Sequence, residues 1–80
     1  MYVVYILQNL KHQYYTGYTG DLEKRLRKHN SGGSQFTRHK GPWRLVYKEL
    51  FDTKQKAYKR ERQVKSYKGG EAFKRLLMGQ

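Results

Sequence analysis

Two segments of this 80-residue chain each place a polar side chain where a helix should pack inward. In the first segment, Leu22 and Leu26 are the apolar positions. The helical repeat of i, i+3, i+4 and i+7 adds Arg25 and His29 to the same face. In the simpler interpretation both side chains reach past the leucines to water, as long arginines often do. In the functional interpretation a guanidinium and an imidazole are held against the sheet as parts of a site.

The second segment carries an acidic residue at an inward position. Ala57, Tyr58 and Val64 define the inner stripe of this basic helix, and Glu61 belongs to the same stripe. The simpler interpretation is an i, i+4 ion pair with Lys65, worth about 0.3–0.5 kcal/mol. The inward register favours a further role. A lone carboxylate suits Mg²⁺, which keeps several waters and is often held by one or two carboxylates together with substrate phosphates.

Tyrosines in the N-terminal part of the chain complete this group of candidates. Residues 2–8 and 14–19 are rich in β-branched and aromatic side chains, which predicts two strands of a hairpin. Gly17 inside the second strand indicates a bulge or a close backbone approach. If Tyr5 and Tyr15 share the face that the helices cover, two phenols meet the guanidinium, the imidazole and the carboxylate in one place.

The elements that must position these side chains follow from capping residues and periodicity. Asp21 and Thr53 are typical N-cap residues, and glycines end the helices that they begin. The predicted elements are, in chain order, strands at 2–8 and 14–19, a helix at 22–30, a strand at 43–51, and helices at 54–68 and 71–78. The order ββαβαα predicts an α+β fold, a small three-stranded antiparallel sheet flanked by helices. A chain of this length forms a single domain over residues 1–80.

The connection before the third strand and the strand itself carry two further expectations. Residues 30–42 lack apolar periodicity, and unstructured connections of this kind in a compact domain are often functional. The strand that follows alternates, so one buried face should hold Trp43, Leu45, Tyr47 and Phe51.

Composition points to a polyanionic partner. Lys and Arg number 18 against 6 Asp and Glu, a formal net charge of +12, and each phosphate that such a surface neutralises releases counterions. An anionic membrane surface is the alternative, but it favours a basic helix with a broad apolar face, and neither basic helix has one. The chain has no cysteine and only scattered histidines, which excludes a disulfide framework and a transition-metal cluster. With no basic leader and no apolar stretch of about 20 residues, we expect neither a signal peptide nor a membrane span. The absence of cysteine fits a reducing compartment, so we expect a cytoplasmic protein.

These motifs resemble the GIY-YIG nuclease family, in particular its small stand-alone members related to the N-terminal domain of the bacterial excinuclease repair subunit. The first motif stands at 3–5 as VVY, which keeps the tyrosine, and the second at 15–17 as YTG. Three further blocks resemble the family in order, GDLEKRLRKHNSG at 20–32, GPWRLVYKELF at 41–51 and AYKRERQVKSYK at 57–68. The resemblance covers nearly the whole chain.

The resemblance implies a metal-dependent endonuclease that hydrolyses phosphodiester bonds in DNA, with a role in repair or nucleic-acid processing. Glu61 falls on the family's metal-binding glutamate and would hold one Mg²⁺ or Mn²⁺. Tyr5 would accept the proton of the attacking water or orient that water, with His29 as proton acceptor behind it. Arg25 would neutralise charge on the phosphorane, and Tyr15 would bind a phosphate oxygen or water. The sequence does not decide which of the two phenols is the base and which orients the water.

The surrounding basic residues are predicted to hold the nucleic-acid backbone. We expect Arg38, Lys40 and Lys65 to contact phosphates, and such contacts carry no sequence information. No helix-turn-helix or zinc-finger pattern occurs in these 80 residues. Substrate choice should therefore rest on the structure of the nucleic acid or on a partner protein.

A competing function is a DNA- or RNA-binding module that uses the same basic surface without cutting. Glu61 distinguishes the two, because an inward carboxylate repels phosphate and serves a binder poorly. The sequence departs from the family at one further point. The asparagine that the family often carries beyond the metal glutamate is absent, and Glu71 lies near that place.

Overall fold

The computed structural model describes residues 1–33 and 37–79. Its elements are β1 (Tyr2–Gln8), β2 (Tyr14–Thr19), α1 (Leu22–Asn30), β3 (Arg44–Phe51), α2 (Lys54–Ser66) and α3 (Glu71–Met78). The predicted α+β fold and the order ββαβαα are therefore confirmed. None of the helices in the described part of the chain has the length and apolar character that crossing a membrane would require.

The sheet has the strand order β2-β1-β3, with β1 antiparallel to both neighbours. The hairpin turn between β1 and β2 is held by Asn9, whose side-chain oxygen accepts from the backbone N–H groups of Lys11 and Gln13 at 3.0 and 2.9 Å. The resulting register pairs Tyr5 with Gly17. The central strand and its edge neighbour β2 thus bring the two sequence motifs side by side.

Helices cover both faces of this sheet. On one face Tyr5 belongs to a cluster with Leu26 of α1, and on the other Ile6 belongs to a cluster with Val64 of α2 and Phe73 of α3. Consecutive strand residues point to opposite faces, so β1 is buried on both sides and its sequence reads as a continuous apolar run. The expectation of a single helix-covered face was wrong, because α1 and α2 pack on opposite sides.

The third strand changes face partway along its length. Ile6 pairs with Tyr47 and Leu7 pairs with Leu45, which leaves Val46 as the extra residue of a β-bulge. Leu45 consequently packs in the α1 cluster and Tyr47 in the α2 cluster. The predicted single buried face of this strand was wrong, since one inserted residue reverses the alternation.

The connection between α1 and β3 is tied down by side chains, and its residues 34–36 lie outside the described residues. The side-chain nitrogen of Asn30 donates to the carbonyl of Trp43 at 3.1 Å, and the side-chain oxygen accepts from the backbone N–H of Trp43 at 2.6 Å. The indole N–H of Trp43 donates to the carbonyl of Thr37 at 3.1 Å. Thr37 is only 1% exposed, although it belongs to no helix or strand.

The inner stripe of α2 differs from the prediction at one position. Ala57 and Val64 are buried, but Tyr58 is 43% exposed, so its assignment to the inner stripe was wrong. Adjacent helical residues are about 100° apart, so a helix that points Ala57 at the sheet turns Tyr58 toward its rim. There the ring of Tyr58 meets Tyr18 of β2 edge to face, with 5.9 Å between the ring centroids.

Candidate active site

A cleft of about 400 Å³ opens at the β2 edge of the sheet. Its walls come from both sheet faces, because the Arg25 side lies on α1 and the Glu61 side on α2. The residues that matter for its chemistry are Tyr5, Tyr15, Gly17, Arg25, Lys54 and Glu61. Four of the five predicted catalytic residues therefore line one cleft, and the fifth, His29, lies directly behind Tyr5.

Gly17 of β2 lines the cleft together with Arg25 of α1 and Glu61 of α2. A Cβ atom at this position would stand 2.6 Å from Tyr5 Oη and 2.9 Å from Tyr5 Cζ. The phenol of Tyr5 therefore crosses the backbone of β2 at the one point where that strand presents no side chain. The close backbone approach expected from the sequence is present, and it carries the Tyr5 hydroxyl to the cleft.

Behind the cleft, three buried side chains form a hydrogen-bonded chain. Tyr5 Oη and His29 Nε2 are 2.9 Å apart, and His29 Nδ1 and Thr37 Oγ1 are 2.7 Å apart. All three residues are 1% exposed. His29 thus does not reach past the leucines to water, as the simpler interpretation of the sequence required.

The position of the imidazole proton decides what this chain can do. With the proton on Nδ1, His29 donates to Thr37 Oγ1 and accepts from the hydroxyl of Tyr5. This is the tautomer that allows a proton to pass from Tyr5 to His29. The opposite tautomer satisfies the same two contacts but leaves Nε2 unable to accept.

Burial and neighbouring charges set the protonation of both groups. Burial raises the pKa of Tyr5 well above its ordinary value; Tyr15 and Glu61 add to the rise, and Arg25 opposes it. Burial lowers the pKa of His29, and the positive charges of Arg25 and Lys28 lower it further. At neutral pH the phenol is therefore protonated and the imidazole neutral, which is the starting state for the tautomer above.

Tyr15 and Arg25 complete the α1 side of the cleft. The ring of Tyr15 packs against His29 with 4.7 Å between centroids and lies 6.3 Å from the ring of Tyr5. Arg25 is half-buried on α1 and lines the cleft. Its charge acts on both Tyr5 and His29, so the guanidinium is close to the hydrogen-bonded chain.

The Glu61 carboxylate faces the cleft and also takes part in the predicted ion pair. Its side chain is 12% exposed, whereas that of Lys65, 3.4 Å away, is 53% exposed. An exposed lysine in an i, i+4 pair contributes only about 0.3–0.5 kcal/mol, so the pair is easily exchanged for another cation. Within residues 1–33 and 37–79, no group of three or more His, Cys, Asp and Glu side chains could hold a metal ion. One carboxylate in an open cleft fits a hydrated hard cation that completes its shell with water and phosphate.

The basic residues predicted to contact phosphates are distributed unevenly around the cleft. Lys65 lies beside it through its pair with Glu61. Arg38 donates to the carbonyl of Gly32, and the backbone carbonyl of Lys40 accepts from Asn9, at the opposite end of β1 from the cleft mouth. Arg38 and Lys40 are exposed but are not among the residues that line the cleft.

Two residues of the site escaped the sequence analysis. Lys54 lines the cleft, and its spacing of seven from Glu61 is the signal that could have found it, because i and i+7 share a helical face. Thr37 holds the far side of His29, but it belongs to an aperiodic loop. No pattern in the sequence connects that threonine to the histidine.

Comparison with known proteins places this geometry in context. A model of the GIY-YIG catalytic domain matches residues 1–73. A UPF0213 protein of Staphylococcus saprophyticus is 42% identical over 77 residues, which cover 95% of this chain and 94% of that protein. A UPF0213 protein of Haloquadratum walsbyi is 48% identical over 65 residues, which cover 80% of this chain and 73% of that protein.

One solved structure is similar over almost the whole chain. The solution NMR structure of the UPF0213 protein BH0048 from Bacillus halodurans is 40% identical in sequence and aligns with a TM-score of 0.57. The alignment covers 99% of this chain and 84% of that one.

Proposed function

This chain belongs to the GIY-YIG nuclease family, and we propose that it is a metal-dependent endonuclease that hydrolyses phosphodiester bonds in DNA. The observation that carries the proposal is the cleft in which a carboxylate, a guanidinium and two phenols from opposite faces of the sheet converge. The bond between Tyr5 and His29 behind that cleft supplies a route for a proton.

Glu61 is the residue that would hold one Mg²⁺ or Mn²⁺. The ion, when bound, supplies positive charge at the scissile phosphate and at the leaving oxygen. Glu61 lines the cleft with its side chain only 12% exposed, and its ion-pair partner Lys65 is exposed. With a metal ion on Glu61, Lys65 would be free to contact the nucleic-acid backbone, as the sequence predicts.

Tyr5 and His29 would handle the proton of the attacking water. The raised pKa of Tyr5 keeps its hydroxyl protonated, so the phenol does not act as a free base. Instead, Tyr5 Oη accepts a proton from water as it gives its own to His29 Nε2, 2.9 Å away. In the tautomer that this transfer needs, His29 Nδ1 would donate to Thr37 Oγ1, 2.7 Å away.

Arg25 and Tyr15 would bind the phosphate. A fixed guanidinium beside the scissile group stabilises the charge that develops in the transition state, where preorganised donors are commonly worth about 3–4 kcal/mol. Tyr15 presents its hydroxyl to a phosphate oxygen or to water from the same side of the cleft. Lys54, on the α2 side, adds a second cation at the cleft wall.

Substrate choice would depend on nucleic-acid structure. The basic side chains predicted to contact phosphates, Arg38, Lys40 and Lys65, contribute affinity without reading bases. We therefore propose activity on single strands, flaps or nicks, in repair or nucleic-acid processing in the cytoplasm, with a partner protein supplying further selectivity.

The decisive experiment replaces the cleft carboxylate. We expect Glu61→Gln to reduce Mg²⁺- or Mn²⁺-dependent cleavage by at least about 100-fold, because loss of a metal ligand removes several kcal/mol of transition-state stabilisation. DNA affinity measured in EDTA should be unchanged or higher, since a negative charge is removed. The substrates are flap, nicked, single-stranded and duplex DNA and single-stranded RNA.

Glu23→Gln is the matched control. Glu23 also pairs with a cation four residues on, Arg27 at 2.9 Å, but it is exposed and does not line the cleft. The Glu23→Gln variant should cleave these substrates at the rate of the wild-type protein. If the wild-type protein binds these substrates but cuts none of them with either metal, the nucleic-acid-binding module is the better description.

A further inference from the structure

The exposed ring of Tyr58 lies next to the cleft and is not used by the proposed chemistry. Tyr58 is 43% exposed on α2, and its ring meets Tyr18 of β2 at an interplanar angle of 71°. The two tyrosines, with Lys54 and Gln55, line a depression of about 420 Å³. Tyr18 and Lys54 also line the cleft, so the depression and the cleft share a wall.

The orientation of Tyr58 is supported from its own helix. Arg62, one turn later, donates to Tyr58 Oη at 3.2 Å, and its guanidinium carbon lies 5.7 Å from the ring centroid. A cation at this distance from an aromatic ring is attracted to it. The ring is therefore both exposed and held in place, with the charge of Arg62 near the ring and Lys54 on the wall of the same depression.

We propose that the Tyr18–Tyr58 pair is a stacking site for an unpaired nucleobase of the strand whose phosphate occupies the cleft. This inference rests on the proposed function and names its substrate class, DNA with a single-stranded nucleotide beside the cut. Aromatic rings stack on any base, and such sites combine rings with cations that follow the backbone. In a duplex the bases are paired and stacked on one another, so the site is not available to them.

A nucleobase fits this depression better than a protein side chain does. The depression continues into a cleft lined by Arg25 and Lys54, in a chain of net charge +12, so a bound polyanion reaches it directly. A strand whose phosphate lies near Lys54 has its neighbouring base within reach of the two rings, because Lys54 lines both cavities.

The test separates base stacking from phosphate binding. Affinities are measured in EDTA for a short oligothymidylate, a fully abasic oligonucleotide of the same length, and a duplex. We expect Tyr58→Ala to weaken oligothymidylate binding about tenfold, as loss of one stacked base does. Binding of the abasic strand and of the duplex should be unchanged, and Tyr58→Phe should behave like the wild-type protein on all three ligands.

Leu50→Ala is the matched control, because Leu50 is also exposed, at 56%, but lies on β3 at the other edge of the sheet. It should leave all three affinities unchanged. The stacking site is overturned if Tyr58→Ala loses the same affinity for oligothymidylate as for the abasic strand. It is also overturned if the variant loses affinity for neither. Because no metal is present, these outcomes are independent of whether Glu61→Gln abolishes cleavage.

Discussion

The close contact between Gly17 and Tyr5 predicts that replacing this glycine by alanine destabilises the fold. In most strands a glycine is less favourable than alanine by about 0.5–1 kcal/mol, so replacing it usually helps. At Gly17 the new Cβ would lie 2.6 Å from Tyr5 Oη and 3.2 Å from Tyr15 Cε2. We expect Gly17→Ala to be strongly destabilising, because the atom that must move belongs to a buried ring.

The magnitude follows from how far that ring must shift. Ordinary contact begins near 3.4 Å, so Tyr5 Oη must retreat by about 0.8 Å from its present 2.6 Å. Tyr5 is 1% exposed, so its neighbours must move as well, and overpacking of this kind costs about 1–3 kcal/mol. The shift also disturbs the 2.9 Å bond to His29, which adds about 0.5–1.5 kcal/mol. The expected total is about 1.5–4.5 kcal/mol.

Thermal and urea unfolding measure this loss directly. For a domain of this size, the expected change lowers the melting temperature by about 10 °C or more. Gly20→Ala is the matched control, because its Cβ would meet Tyr2 Cε1 at 3.5 Å, an ordinary contact. It should be neutral or slightly stabilising.

A double variant tests whether the phenol is the cause. Tyr5→Phe removes the nearest atom, so Gly17→Ala should cost about 1 kcal/mol less in that background than in the wild-type background. If the two losses simply add, or if Gly17→Ala is as stable as the wild-type protein, the close approach of Tyr5 to the β2 backbone is refuted.

Two further predictions concern the support of His29. Thr37→Val should lower the free energy of unfolding by about 1–3 kcal/mol, because it leaves His29 Nδ1 buried without a partner. Thr37→Ser keeps the hydroxyl and is the control. Equal stability of the valine and serine variants in urea would contradict the 2.7 Å bond. Because the pKa of His29 is lowered in the folded chain, the unfolded chain takes up a proton near pH 6.5 and the folded chain only at lower pH. The free energy of unfolding is therefore highest above about pH 6.5. It falls as the pH decreases below that value, by at most about 1.4 kcal/mol per pH unit. Urea midpoints between pH 7.5 and 5.5 should show this fall, and His29→Gln should flatten it; an equal slope in the variant would exclude His29 as the source.

Local patterns in the sequence determined the elements of this fold and its family. Segments rich in β-branched and aromatic residues predicted β1 and β2 with the ends that the structure has, and capping residues placed the starts of α1 and α2 at Leu22 and Lys54. The resemblance to the GIY-YIG family is confirmed by the match over residues 1–73. These features depend on residues close together in the chain, and a sequence displays such relations directly.

The tertiary structure decided which residues that are distant in the chain come into contact. Helical periodicity placed Arg25 and Glu61 at inward positions, but it did not show that α1 and α2 cover opposite faces of the sheet. Nor did it show that the two side chains line one cleft at the β2 edge. The bulge at Val46 and the exposure of Tyr58 depend on pairing and on the rotation of a helix, which a hydrophobic pattern leaves undetermined. Thr37 lies in a loop without apolar periodicity, so no sequence pattern predicts its contact with His29, and only the folded chain brings the two together.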